Sequence, residues 1–156
     1  MMKMLMRWGG ALACAAVLVA APVRAEAPAV AAEKVLRLDM MLMATSLRCR
    51  AGADDFRADY ARFGERHRAD ITQARARLLT DLSERFRSDD PEVALDRVKT
   101  AAANRYGLGH AWLTCANLRQ VTRGLAELRG GEVLVEAADQ LLAGQGRADQ
   151  VALVRR

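Results

Sequence analysis

An all-α fold is what the apolar pattern of this 156-residue chain implies: a compact bundle of four to five helices with one long central helix and one disulfide. Between residues 33 and 145 apolar side chains recur at steps of three and four, the period of a helix face. Short runs of Gly, Pro and Asp separate these stretches and supply caps and stops. Beyond residue 25 the single β-branched cluster is Val133-Leu134-Val135, so a strand there would have no partner.

Helix 1 runs from Glu33 to Cys49. Leu36, Met40, Met43 and Leu47 step by 4, 3 and 4, and Val35, Leu38 and Leu42 widen the apolar face, so this helix must be largely covered. Arg50-Ala51-Gly52-Ala53 breaks the pattern, and Asp54-Asp55 supplies an N-cap and a first-turn acid for helix 2. The helix 2 stripe is Phe56, Tyr60, Phe63, His67, Ile71, Ala74, Leu78, Leu82 and Phe86. It stays in phase over about 50 Å, so this helix overhangs its neighbours or kinks, with Gly64 the weakest point. Asp59 with Arg62, Glu65 with Arg68, Asp81 with Arg85 and Glu84 with Arg87 give its outer face the pattern of a solvated surface.

Ser88-Asp89-Asp90-Pro91-Glu92 caps and starts helix 3, which reaches Tyr106 with Val93, Val98, Ala101, Ala102 and Tyr106 available for packing and Gly107 as C-cap. Helix 4 begins at Gly109 or His110, carries Trp112, Cys115, Leu118, Val121, Leu125 and Leu128, and stops at Gly130-Gly131. Helix 5 spans Glu132 to Leu142, where helix is preferred to a short strand. Residues 146–156 are expected to fray.

The chain's start is of a different kind. Lys3 and Arg7 precede an apolar run from Trp8 to Val23, and Val23-Arg24-Ala25 places small residues where a signal peptidase reads. Residues 1–25 are therefore expected to be a signal peptide cleaved between Ala25 and Glu26. An apolar run interrupted by Gly9, Gly10 and Pro22 falls short of the ~20 residues that span a bilayer, so no stable membrane anchor is expected after cleavage. Lipidation at Cys14 fits less well, because the apolar run continues past it. The exported chain is expected in the periplasm, with residues 26–32 as a disordered leader and 33–145 as one helical domain.

Taking Lys3, Arg7 and Arg24 from the 24 basic residues leaves 21 against 19 acids, too even a balance for binding nucleic acid. Two cysteines remain, Cys49 and Cys115, and an oxidising compartment pairs them. That bond ties the end of helix 1 to helix 4 and favours their antiparallel packing, with Leu47, Phe56, Tyr60 and Trp112 at the same end of the core.

Catalytic patterns are missing: there is no Gly-x-Ser-x-Gly, no His-Glu-x-x-His and no phosphate-binding glycine loop after a strand. His67 and His110 have no companions at ligand spacing, so neither metal nor cofactor is expected. Gly107-Leu108-Gly109-His110 has the composition of an anion cradle before a helix, although a plain turn explains the same glycines. The candidate pocket gathers Arg48, Arg50, Asp54, Asp55, His110 and Trp112 beside the disulfide; capping and surface pairing account for the same acids.

Met41-Leu42-Met43-Ala44-Thr45-Ser46-Leu47-Arg48-Cys49-Arg50, then Asp54-Asp55-Phe56, and Gly109-His110-Ala111-Trp112-Leu113-Thr114-Cys115 together resemble a group of short exported bacterial helical proteins of unknown function with two cysteines. Some members of that group carry the label of S-adenosylhomocysteine hydrolases, which would imply a Rossmann domain; this chain has neither Gly-x-Gly-x-x-Gly nor the length. In format alone, an exported helical chain with one disulfide is similar to the periplasmic acid-stress chaperones of the HdeA type.

Together these features imply a non-enzymatic exported protein that binds a protein, peptide or envelope partner, under stress or otherwise. The pliant side chains of Met40, Met41 and Met43 suit an adaptable apolar surface, though they suit a core equally. The alternative is a small periplasmic enzyme or ligand-binding module using the pocket beside the disulfide.

Overall fold

Proline costs a helix nothing at its first position, where the missing N–H has no partner to lose, and alanine is the best helix former. Accordingly the computed structural model, which describes residues 26–85 and 90–142, starts its first helix at Pro28, inside the stretch expected to be a disordered leader. Residues 28–32 are helical, Ala32 is buried, and Lys34 draws Glu26 into an ion pair at 2.5 Å. The expected signal peptide of residues 1–25, its cleavage site between Ala25 and Glu26, the lipidation alternative at Cys14 and the frayed tail of residues 146–156 lie outside the described residues, apart from Glu26 itself.

Among the described residues there are six helices and no strand: α1 (Pro28–Arg48), α2 (Arg57–Arg66), α3 (Arg68–Arg85), α4 (Pro91–Tyr106), α5 (Cys115–Glu127) and α6 (Gly131–Leu142). The all-helical class stands, and Val133-Leu134-Val135 is helical. The long helix 2 does not: it is divided into α2 and α3, and α1 is the longest helix at 21 residues. The division falls at His67, and Gly64 lies within α2. His67 is fully buried, its Nε2 2.9 Å from the Leu125 carbonyl and its Nδ1 3.3 Å from Asp70 Oδ2. The break lets the two halves serve different partners, α2 packing chiefly against α5 and α3 against α1.

α1 touches each of the other five helices. That is what its wide apolar face requires, and Val35, Leu36, Leu38, Met41 and Leu42 are core residues. Met40 and Met41 are buried there, so they present no adaptable surface. Buried Thr45 and Thr122 satisfy their hydroxyls on their own helices, donating to the Met41 and Leu118 carbonyls at 2.7 Å each. In α4 the buried set is Leu95, Ala102 and Tyr106, while Val93 is exposed.

Contacts between α2 and α5 advance together along both helices. Arg119 donates to the Ala53 carbonyl, Arg123 reaches Asp59, and Arg66 donates to the Ala126 carbonyl. The two helices therefore run parallel. α2 reverses on α1 through the short turn after Cys49, so α5 is antiparallel to α1. Asp59 is consequently no surface acid: its side chain is buried between Arg62 and Arg123. Burial pushes its pKa up, but hydrogen bonds from the two arginines outweigh this and hold it below the usual value. The pairs Glu65–Arg68 and Asp81–Arg85 do lie on an exposed face; Arg87 lies outside the described residues.

Candidate functional site

Cys49 caps the C-terminal end of α1 and Cys115 is the first residue of α5, and their disulfide holds the Cα atoms 5.8 Å apart. α5 starts later than the glycines suggested, because Thr114 and Asn117 form a capping box: the Thr114 hydroxyl accepts from the Asn117 N–H while the Asn117 side chain accepts from the Thr114 N–H. Residues 107–114 thus form a loop. Gly109 takes a left-handed φ of 113° and donates its N–H to the Tyr106 carbonyl, so no anion cradle forms.

The expected pocket residues divide. Arg48 and His110 line one cavity of ≈280 Å³ with Cys49, Leu108 and Cys115, and no carboxylate lines it. Asp55 instead serves α2, accepting from the Arg57 N–H at 3.1 Å and from its guanidinium at 2.7 Å, a pairing that holds its pKa down to about 2. Asp54 pairs with Arg119 at 3.2 Å, and Arg50 donates to the Leu47 carbonyl at 3.3 Å. Trp112 lies outside the core, 47% exposed, with its ring edge-on to His110.

His110 is a staple. Its Nε2 donates to the Leu141 carbonyl at 3.0 Å, and its Nδ1 accepts from the N–H groups of Trp112 and Leu113, which requires the neutral Nε2–H tautomer. Burial lowers its pKa against the pull of the Leu141 carbonyl. With both nitrogens occupied it docks the loop onto the end of α6 and offers no base. What this end does present is apolar: Leu47 and Trp112 are each 47% exposed and Leu108 is 92% exposed, flanked by Arg48 and Arg50.

A second cavity, of ≈340 Å³, opens between α1, α4 and α6, lined by Val98, Ala101, Ala102 and Leu142 with Arg37, Arg97, Arg105 and Tyr106. The Tyr106 hydroxyl is buried and has no hydrogen-bond partner among the described residues. Burial pushes this phenol up to about 12, although Arg105 and Arg37 lie near enough to pull it down. Tyr106 was visible in sequence as a packing residue of helix 3, but the arginines around it come from two helices and share no spacing.

Sequence reasoning also missed Asp39. This carboxylate is buried and accepts from the Tyr60 hydroxyl at 2.9 Å. Burial raises its pKa, opposed by that hydrogen bond and by Lys99. Tyr60 therefore faces Asp39 and α1 rather than Trp112. The signal was an acid set among Leu38, Met40 and Met41 in a helix that had to be covered.

Among the described residues no group of three or more His, Cys, Asp or Glu side chains is placed to hold a metal, and no helix is long and apolar enough to cross a membrane. Comparison with protein-family models, curated proteins and solved structures finds no match for this chain.

Proposed function

We propose that this chain is an exported, non-enzymatic helical protein that works in the periplasm and binds a partner protein through its disulfide end. The observation that carries the reading is the exposure of Leu47, Leu108 and Trp112 at the one end that a covalent bond fixes. Exposed large apolar groups on a braced surface mark interaction sites, and a rigid surface binds at lower entropic cost. Arg48 and Arg50 beside them favour an acidic segment that also carries apolar side chains. The disulfide itself belongs to an oxidising compartment, which supports export. The enzymatic alternative has less to stand on, since Asp54, Asp55 and His110 are committed to other groups.

The test is site-specific photocrosslinking in living cells, with the crosslinker at Leu108 or at Thr80, which is exposed on α3. One discrete adduct from Leu108 that disappears with Arg48→Glu is the expected result. No adduct, or the same pattern from both positions, would count against the reading.

A further inference from the structure

The cavity between α1, α4 and α6 lies apart from the disulfide end, and its chemistry does not depend on whether that end docks a partner. Its floor is apolar, Val98, Ala101, Ala102 and Leu142, and its polar lining consists of three arginines and one tyrosine, with no acid. Arg37 pairs with Glu33, and Arg97 and Arg105 make contacts of their own, so positive charge alone would not single out a ligand. The tyrosine does. A buried hydroxyl that donates to nothing is costly, and native proteins retain few of them without a use. Because burial keeps this phenol protonated far above neutral pH, it is a standing donor beside two guanidinium groups.

We infer that this cavity binds a small anionic amphiphile, the carboxylate meeting Tyr106 Oη–H and the nearby arginines while its alkyl chain covers the apolar floor. At about 30 Å³ per non-hydrogen atom, the share of one water in the liquid, ≈340 Å³ holds about eleven such atoms, and the ten of octanoate fit. The lining has no Ser, Thr, Asn or Gln to meet the amides of a peptide chain end, so a fatty carboxylate is preferred to a C-terminal peptide.

Titration calorimetry on the exported chain tests this with octanoate, octan-1-ol, octylammonium and acetyl-leucyl-leucine. Octanoate is expected to bind saturably at one site, and the other three at least about tenfold more weakly, since a hydrogen bond to a charged group carries about that factor. Tyr106→Phe should weaken octanoate binding by about tenfold or more while leaving the melting temperature unchanged or higher, because the hydroxyl it removes bonds to nothing in the protein. Ala101→Trp, at an exposed position of the lining, should abolish binding in a folded protein. Unsaturable octanoate, octylammonium or the peptide binding as tightly, or Tyr106→Phe binding like the parent would each overturn the inference.

Discussion

Asp39 shows how much one side chain does in this core. Its carboxylate depends on the Tyr60 hydroxyl, so Tyr60→Phe should destabilise the protein by about 1–3 kcal/mol, measured by denaturant unfolding, because a buried acceptor loses its donor. Its raised pKa fixes a sign as well. Below the ordinary value of 3.8 both folded and unfolded chains hold the proton; above it the unfolded chain ionises first, so this stabilisation is lost as pH climbs through the folded value. The melting temperature of Asp39→Asn relative to the parent should therefore rise between about pH 3 and pH 7. A flat difference would mean that the carboxylate is not desolvated. His110 works in the opposite direction. Its folded pKa is lowered, so its contribution is present above the ordinary value of 6.5 and lost as pH falls below it. His110→Gln should flatten the decline in melting temperature between about pH 7 and pH 5; an unchanged slope would mean that His110 is not held as a neutral staple.

At the scale of the helices, legibility followed the strength of local signals. Asp90 caps α4 through its side chain, Pro91 starts it and Tyr106 ends it, as the residues implied, because cap, proline and stop all act within a few residues. The division of helix 2 at His67 was not legible. The apolar stripe stays in phase through the break, and its cause is a carbonyl at Leu125, 58 residues away, to which the imidazole bonds. The start of α5 was misplaced because Gly107 and Gly109 outweighed a Thr114–Asn117 capping box that was equally present in the sequence. The disulfide half of the candidate site was readable from two cysteines and a compartment, whereas the arginine-rimmed cavity needed the packing of α1 on α4. Gly64 gives the cleanest check of the corrected helix boundaries. It sits inside α2 with open space where a Cβ would go, so Gly64→Ala should raise stability by about 0.5–1 kcal/mol in thermal unfolding. A loss would mean that the chain bends at residue 64 after all.

The whole molecule is one helix, α1, wrapped by five others and pinned to one of them by a bond spanning 66 residues. α1 packs mainly on α3, α4 and α6, while α2 and α5 form a parallel pair at its side, and the disulfide is the covalent link between the two groups. Both the exposed apolar end and the loop stapled by His110 take their position from it. Closing a loop of that size removes about 4 kcal/mol of unfolded-chain entropy, a large share of the roughly 5–15 kcal/mol that holds a domain together. Thermal unfolding of the exported chain with and without reductant, beside the Cys49→Ser, Cys115→Ser double variant, tests that claim most directly. The melting temperature should be lower by about 10–15 °C in both cases. A fall of less than about 3 °C in both would contradict the claim, because the bond would then not be what fixes the disulfide end against the rest of the bundle.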